Sequence, residues 1–577
     1  MALNPSSQSN SAVEVIDGTV SEFYNVVDQC IRRSEVMPGQ YKSITSPSYS
    51  NNCPIYESSF TTVDIGCPAP QVVDINNSFI TAEVQVDITF GAGIASLNNI
   101  NTFFVGWRSS LEAFKQYNIY CNHKQVYQQN YVGEESFILQ SLIPEHVRCR
   151  RPNQYTTYEN ASSFSPNVCG TFITINSTAG TEDNPTPLST ATTVNVKIPI
   201  KLDINQFLFF QNFKYLPGFG GTWSIRLYPS TEHLIVCPVD PKYTVPRDKL
   251  DLLTTLKSTI TDTIDSFHHH FVQIGDKVKC LKVVKFKSPT WAVASSAANI
   301  TYNSEITSGD IVVSAGKCQL NRVLYHQTQF ELMYDVYDGL KARYMQRPLT
   351  IPINNLIYGR FAGIIDQAQT SSTYTAPVQN VESLFILPFH DDAHHTVCFN
   401  PNFKNLYLSI SGFGNFPQQP FSTGDDDEDH IRFVNMTLDA LNINNSPIMA
   451  PNKDLMNSLE FRKTKFWTNA DTAIHPLDSG ETIKIRSNDD IHDKSNFLIG
   501  IPFSNDIDFQ GGLTSNGNIN LKLSASKSII NTIGQSLNNS DCKIGATVMF
   551  CTDAALMIKV VPYADQPECR LVDERIV

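Results

Sequence analysis

ITAEVQVDITF, residues 80–90, sets Ile80, Ala82, Val84, Val86, Ile88 and Phe90 against Thr81, Glu83, Gln85, Asp87 and Thr89. On a pleated strand successive side chains point to opposite faces, so this alternation puts one face in a core and the other in water. The same pattern returns at Val194, Val196, Ile198, Ile200 and Leu202 and at Ile519, Leu521 and Leu523, with turns rich in Gly, Pro, Asn and Asp between such runs. Only 17% of residues are charged and 10% are aromatic, in a chain of 577 residues. That is the composition of an all-β protein built from large sandwiches.

Two segments have helical periodicity. Thr19 and Glu22 have the spacing of a capping box, followed by Phe23, Val26, Val27, Cys30 and Ile31 on one face. Further on, Pro246 and Asp248 precede Leu253, Leu256, Ile260, Ile264 and Phe267, which predicts a helix over 247–271 linking two halves. The halves resemble one another. VKIPIKLDINQFLFFQNFKYLPGFGGTWSIRL (196–227) and LIGIPFSNDIDFQGGLTSNGNINLKL (498–523) each carry an Ile-Pro strand, an aromatic segment, a glycine-rich turn and a second alternating strand. Ile198-Pro199 and Ile501-Pro502 lie 303 residues apart, so a unit of that order is repeated once. Proline cannot donate to a ladder, which predicts that both strands lie at sheet edges or strand ends. The division expected is an N-terminal arm and helix (1–37), a first domain (38–246), the linking helix (247–271), a second domain (272–563) and a C-terminal tail (564–577).

The net charge of −13 and the lack of any Lys/Arg block argue against direct nucleic-acid binding. The start of the chain has no basic and then apolar signal, and no apolar run is long enough to span a bilayer, which predicts a soluble chain that is not secreted by that route. Thirteen cysteines, an odd number without a CxxC, are expected to be reduced and buried. The six N-x-S/T sequons at Asn76, Asn160, Asn176, Asn299, Asn435 and Asn538 are expected to go unused.

Three stretches invite a metal reading. FHDDAHHTVC (389–398) holds His390, Asp391, Asp392, His394, His395 and Cys398, but the ligands crowd between two strands, SLFILPF (383–389) and TVCFNPNFKNLYLSI (396–410), and read as a solvated turn. The histidines of FHHHF (267–271) point in different directions and suit a helix C-terminus. The acidic run Asp425, Asp426, Asp427, Glu428 and Asp429 lacks the spacing and glycine of an EF-hand loop and reads as a solvated loop, with cation binding left open. PGFGG (217–221) joins strand-like segments and reads as a turn. There is no G-x-S-x-G elbow, Walker loop or H-E-x-x-H, so no catalytic, cofactor-binding or metal residue is assigned and no enzyme activity is expected.

The segments 101–142, 197–227 and 384–423 resemble the double jelly-roll major capsid proteins of Polinton (Maverick) elements and virophages. The resemblance implies two tandem jelly-roll β-sandwich domains per subunit and a homotrimeric, pseudo-hexameric capsomer. It also implies a structural protein of the virion that packs with itself into an icosahedral capsid around a DNA genome, with penton and minor capsid proteins as partners. Membrane contact by the N-terminal helix and the host compartment are left open. The alternative from another class is a jelly-roll lectin or carbohydrate-active enzyme, for which only four tryptophans are available as sugar platforms.

Overall fold

The computed structural model describes residues 10–32, 36–45, 55–90, 102–136, 169–174, 192–239, 313–360, 370–374, 378–389, 403–422, 427–440, 498–503, 513–523, 545–560 and 568–573, with short gaps inside some of these ranges, and five two-residue strands between 272 and 311. Sixteen strands carry the architecture. In the first half they are β1 (Val36–Thr45), β2 (Thr61–Ile65), β3 (Gln71–Phe90), β4 (Phe114–Cys121), β5 (Lys124–Gln129), β6 (Thr192–Asp203), β7 (Trp223–Pro229) and β8 (Val313–Leu332). In the second they are β9 (Leu349–Arg360), β10 (Thr370–Tyr374), β11 (Val378–Phe389), β12 (Leu406–Ile410), β13 (Gly414–Phe421), β14 (Ile499–Pro502), β15 (Ile519–Leu523) and β16 (Gly545–Lys559).

Within each half the first strand pairs with the last, the second with the seventh, the third with the sixth and the fourth with the fifth, all antiparallel. Each half is therefore one long two-stranded ribbon. Wrapped round, the ribbon makes two sheets: β1-β8-β3-β6 with β2-β7-β4-β5 in the first half, and β9-β16-β11-β14 with β10-β15-β12-β13 in the second. That strand order is a jelly roll, made twice. The alternation read from 80–90 is real: Ile80, Ala82, Val84, Val86 and Ile88 are buried and their neighbours are partly exposed. Val84 faces Ile198 on one side and Leu320 on the other, so the interior row crosses three strands.

Both Ile-Pro strands, β6 and β14, are the sixth strands of their rolls and, among the described residues, pair on one side only, with β3 and β11, in keeping with the repeat and the expected edge position. The expected boundary at 246 does not. Val313–Leu332 lies between β1 and β3, with Val36 opposite Leu332, so the first roll closes only at 332. Residues 247–271 lie outside the described residues, and the helix that follows the first roll is Tyr334–Gln346 (α2). The expected tail also holds a strand, Glu568–Asp573, paired with β16.

Three connections of the first roll pair with each other. Thr102–Trp107 from β3–β4, Cys169–Thr174 from β5–β6, and Ile235–Val239 with Val272–Gln273 from β7–β8 form a separate four-stranded sheet. The β4–β5 hairpin turns on Asn122 (φ 50°) and His123 (φ 65°), two successive left-handed residues whose twist matches that of the strands.

Candidate assembly surfaces

Helix α1 (Asn10–Arg32) is the first contact surface, and it is used within the chain. It begins at Asn10, so Thr19 and Glu22 lie inside it rather than at its cap. The expected face is correct: Phe23, Val27 and Cys30 are buried, and Val26 and Ile31 pack partly buried against the same core. Phe23 meets Phe219 of the glycine-rich turn and Tyr344 of α2 edge-on, at 6.2 and 6.1 Å between ring centroids. Asp28 accepts from Lys214 Nζ at 2.6 Å and Tyr215 Oη at 2.9 Å, and Glu22 pairs with Arg343. Burial, followed by the acceptor and charge of Asp28, drives the Tyr215 phenol upward, so it stays the donor.

Helix α1 also contacts β9, the first strand of the second roll. Leu349, Ile351, Ile353, Leu556, Ile558 and Val560 of that roll belong to the same apolar cluster as the interior of the first. Asn212 Nδ2 donates to Pro352 O at 3.4 Å across the junction, and Leu208–Phe210 packs on β9. The core of the first roll thus extends onto β9 and the end of β16 of the second.

The glycine-rich turn at 217–221 is built for close approach and not for phosphate. A Cβ on Gly218 would lie 2.8 Å from Cys67 O and 2.9 Å from Tyr337 Oη, and Gly221 sits at φ +89° with Asn122 in the space its Cβ would take. Trp223 follows, 1% exposed, donating to Gly220 O at 3.0 Å and ringed by Phe209, Phe210 and Phe213. Trp107 is also fully buried, so neither described tryptophan is a sugar platform.

His390 to Cys398 and the histidines of 267–271 lie outside the described residues. Among the described residues no cluster of three His, Cys, Asp or Glu side chains has metal-binding geometry, and no helix is long and apolar enough to cross a membrane. Cys30, Cys67, Cys121 and Cys318 are buried and Cys551 is half-buried, none of the five in a disulfide. Burial pushes the Cys67 thiol up to about 12, which leaves it unreactive. The acidic run is partly corrected: Asp427, Glu428 and Asp429 open a helix, α3 (Asp427–Ala440), where acid suits the positive end of the dipole. Of the strand expected at 396–410, Leu406–Ile410 is a strand, and residues 396–402, 404 and 405 lie outside the described residues.

No family model matches the chain, and no curated protein sequence matches it. Among solved structures it is similar to the crystal structure of the mavirus major capsid protein, at 10% identity and a TM-score of 0.43, over 90% of this chain and 88% of that one. It is also similar to a chain of the cryo-EM structure of the Sputnik virophage, at 11% identity and a TM-score of 0.41, over 94% and 89% of the two chains. The Faustovirus major capsid protein matches at 8% identity and a TM-score of 0.37, over 95% and 98%.

The outer faces of the sheets are the remaining surfaces. In β2-β7-β4-β5 and in β10-β15-β12-β13, strands β7 and β12 alternate buried with partly exposed residues, so both rolls leave that face open. Among the described side chains, the outer face of β8, β3 and β6 is open as well. Its equivalent in the second roll is closed: β14 is buried at every position, and Phe385 and Met549, opposite Gly500, are 3% and 1% exposed. Helix α3 closes it. Thr437 Oγ1 accepts from Gly500 N at 3.1 Å, and a Cβ on Gly500 would lie 2.7 Å from that of Ala440.

Proposed function

We propose that this protein is a structural major capsid protein, forming homotrimeric capsomers of six-fold outline that tile an icosahedral shell around a DNA genome. The observation that carries the reading is the pair of rolls with one strand order, joined through a shared core. Three such subunits about a three-fold axis present six similar units to their neighbours, which is the geometry a closed shell needs. The absence of catalytic motifs fits a protein whose work is self-association. On this reading the protein resides in the virion, and penton and minor capsid proteins fill the positions that a six-fold unit cannot.

Subunit interfaces inside a stable trimer bury well over roughly 1,000 Å². Light scattering of the purified protein is expected to give a trimer, and negative-stain micrographs a hexagonal outline. A monomer at every concentration tested would refute the reading.

A further inference from the structure

One segment of the first roll that meets β9 is tied to a buried carboxyl group. Leu208–Phe210 packs on β9, and two residues further on Asn212 reaches Pro352 O. Neither this turn nor Ile204–Gln206 before it is part of a sheet. Its N–H groups bond within the segment, Phe207 to Ile204 O at 3.2 Å, Phe210 to Phe207 O at 2.9 Å and Phe213 to Phe210 O at 3.0 Å. Leu208 is the exception, because its N–H crosses to Glu135 Oε1 at 2.8 Å. Tyr117 Oη donates to the same oxygen at 2.5 Å, whereas Oε2 is buried without a hydrogen-bond partner. Gln129 is the other group that favours the anion, and burial outweighs all three donors, raising the carboxyl to about 7. The titratable groups around it are Tyr117 and Tyr127, whose phenols burial drives upward, and, beyond Tyr127, Cys551 of β16. His233 lies against Gly133 and is lowered by burial alone. Among the described residues no Lys or Arg offsets a negative charge here.

Ionising Glu135 in place leaves Oε2 a buried anionic oxygen without a donor, a costly state that water relieves. Water enters through the wall that is least held. Tyr117 lies on β4, which is laddered to β7 on one side and β5 on the other, and Tyr127 and Gln129 lie on β5, paired with β4. The Leu208 segment has no ladder, and such segments open locally at the lowest cost. We propose that Glu135 is a proton-operated latch: its neutral form holds Leu208–Phe210 in place on β9, and its ionisation releases the segment and loosens this contact between the rolls without unfolding either. The direction follows from linkage. A carboxyl whose pKa is raised in the closed form stabilises that form fully below about pH 4.5, less and less as pH rises to about 7, and no less beyond it. The latch therefore holds in acid and yields above neutral pH. It belongs to the single chain and is independent of the capsomer reading.

Backbone hydrogen exchange of the full chain reads this opening, with protection factors compared between the wild type and Glu135→Gln. Over residues 204–213 the protection of the wild type relative to the variant is expected to fall roughly 70-fold between pH 5 and pH 8. His233 is common to both proteins and drops out of that ratio. At pH 8 the wild-type segment is also expected to be less protected than residues 80–88 of β3, which sit in a ladder on both sides. Should Glu135→Gln not fold, Tyr117→Phe takes its place: with one donor to the anion gone, the fall in protection of the segment is expected to move to higher pH. A ratio that does not change with pH, or a Tyr117→Phe profile that coincides with that of the wild type, overturns the latch. So does protection of 204–213 equal to that of 80–88 at pH 8, because the segment then opens only with the whole fold.

Discussion

At the scale of single residues, the first roll holds two buried titratable groups on touching segments. Glu135 is 0% exposed; its Oε1 accepts from Tyr117 Oη at 2.5 Å and from the Leu208 N–H at 2.8 Å. Burial, only partly opposed by those donors and by Gln129, raises its carboxyl to about 7. The His233 ring lies against Gly133, where a Cβ would come within 2.5 Å of it, and burial lowers this imidazole to about 4. The signs oppose. An acid with a raised folded pKa contributes stability that is full below its unfolded pKa and is lost as pH rises through the folded one, here from 4.5 to about 7. A base with a lowered folded pKa loses stability as pH falls from 6.5 to about 4. Between about 4.5 and 6.5 the two slopes cancel. Glu135→Gln removes the first slope alone, so the variant is expected to gain on the wild type by roughly 2.5 kcal/mol between pH 5 and pH 8. Denaturant melts of both proteins across that range test this, and a gap that does not change with pH would contradict it. Neither residue stood out in the sequence, because Glu135 between Glu134 and Ser136, and His233 between Glu232 and Leu234, give no sign of burial; only the fold brings Leu208 to Glu135.

At the scale of elements, the sequence was most legible where the period was clean. The face of α1 from Phe23 to Ile31 follows from 3.6-residue spacing, and Phe23 proves to be its anchor between the glycine-rich turn and α2. Phe23→Ala is expected to cost about 3 to 5 kcal/mol, the range for a fully buried aromatic that leaves a cavity. A loss under 1 kcal/mol by chemical denaturation would show that the helix is not part of the shared core. The helices α2 and α3 were missed for opposite reasons. In α2 the buried stripe is Tyr337, Leu340 and Tyr344, interrupted by Gly339, so tyrosines carry a periodicity that aliphatic residues would have made plain. In α3 the acidic start reads as a loop, while the contacts that fix the helix, Thr437 on Gly500 and Phe433 on Phe421, come from residues distant in sequence.

At the scale of the whole molecule, the repeat of Ile198-Pro199 and Ile501-Pro502 marked the same strand of both rolls, yet the boundary placed at the expected linking helix falls inside the first roll. The reason is topological. A jelly roll pairs its first strand with its last, so the closing strand β8 lies far along the chain, and nothing in its alternation says that Leu332 will face Val36. A fragment ending at 246 would lack the strand between β1 and β3, leaving both with open ladders and the interior residues Leu320, Val323 and Tyr325 missing from the core. Such a fragment is expected to show no cooperative denaturation. The intact chain, whose apolar cluster runs from Phe23 through Trp223 to Ile558, is expected to unfold in a single calorimetric transition, because exposing either roll would strip buried surface from the other. Two well-separated transitions, or a sigmoidal melt of residues 1–246, would mean that the rolls are independent domains and that the junction under α1 is a surface contact.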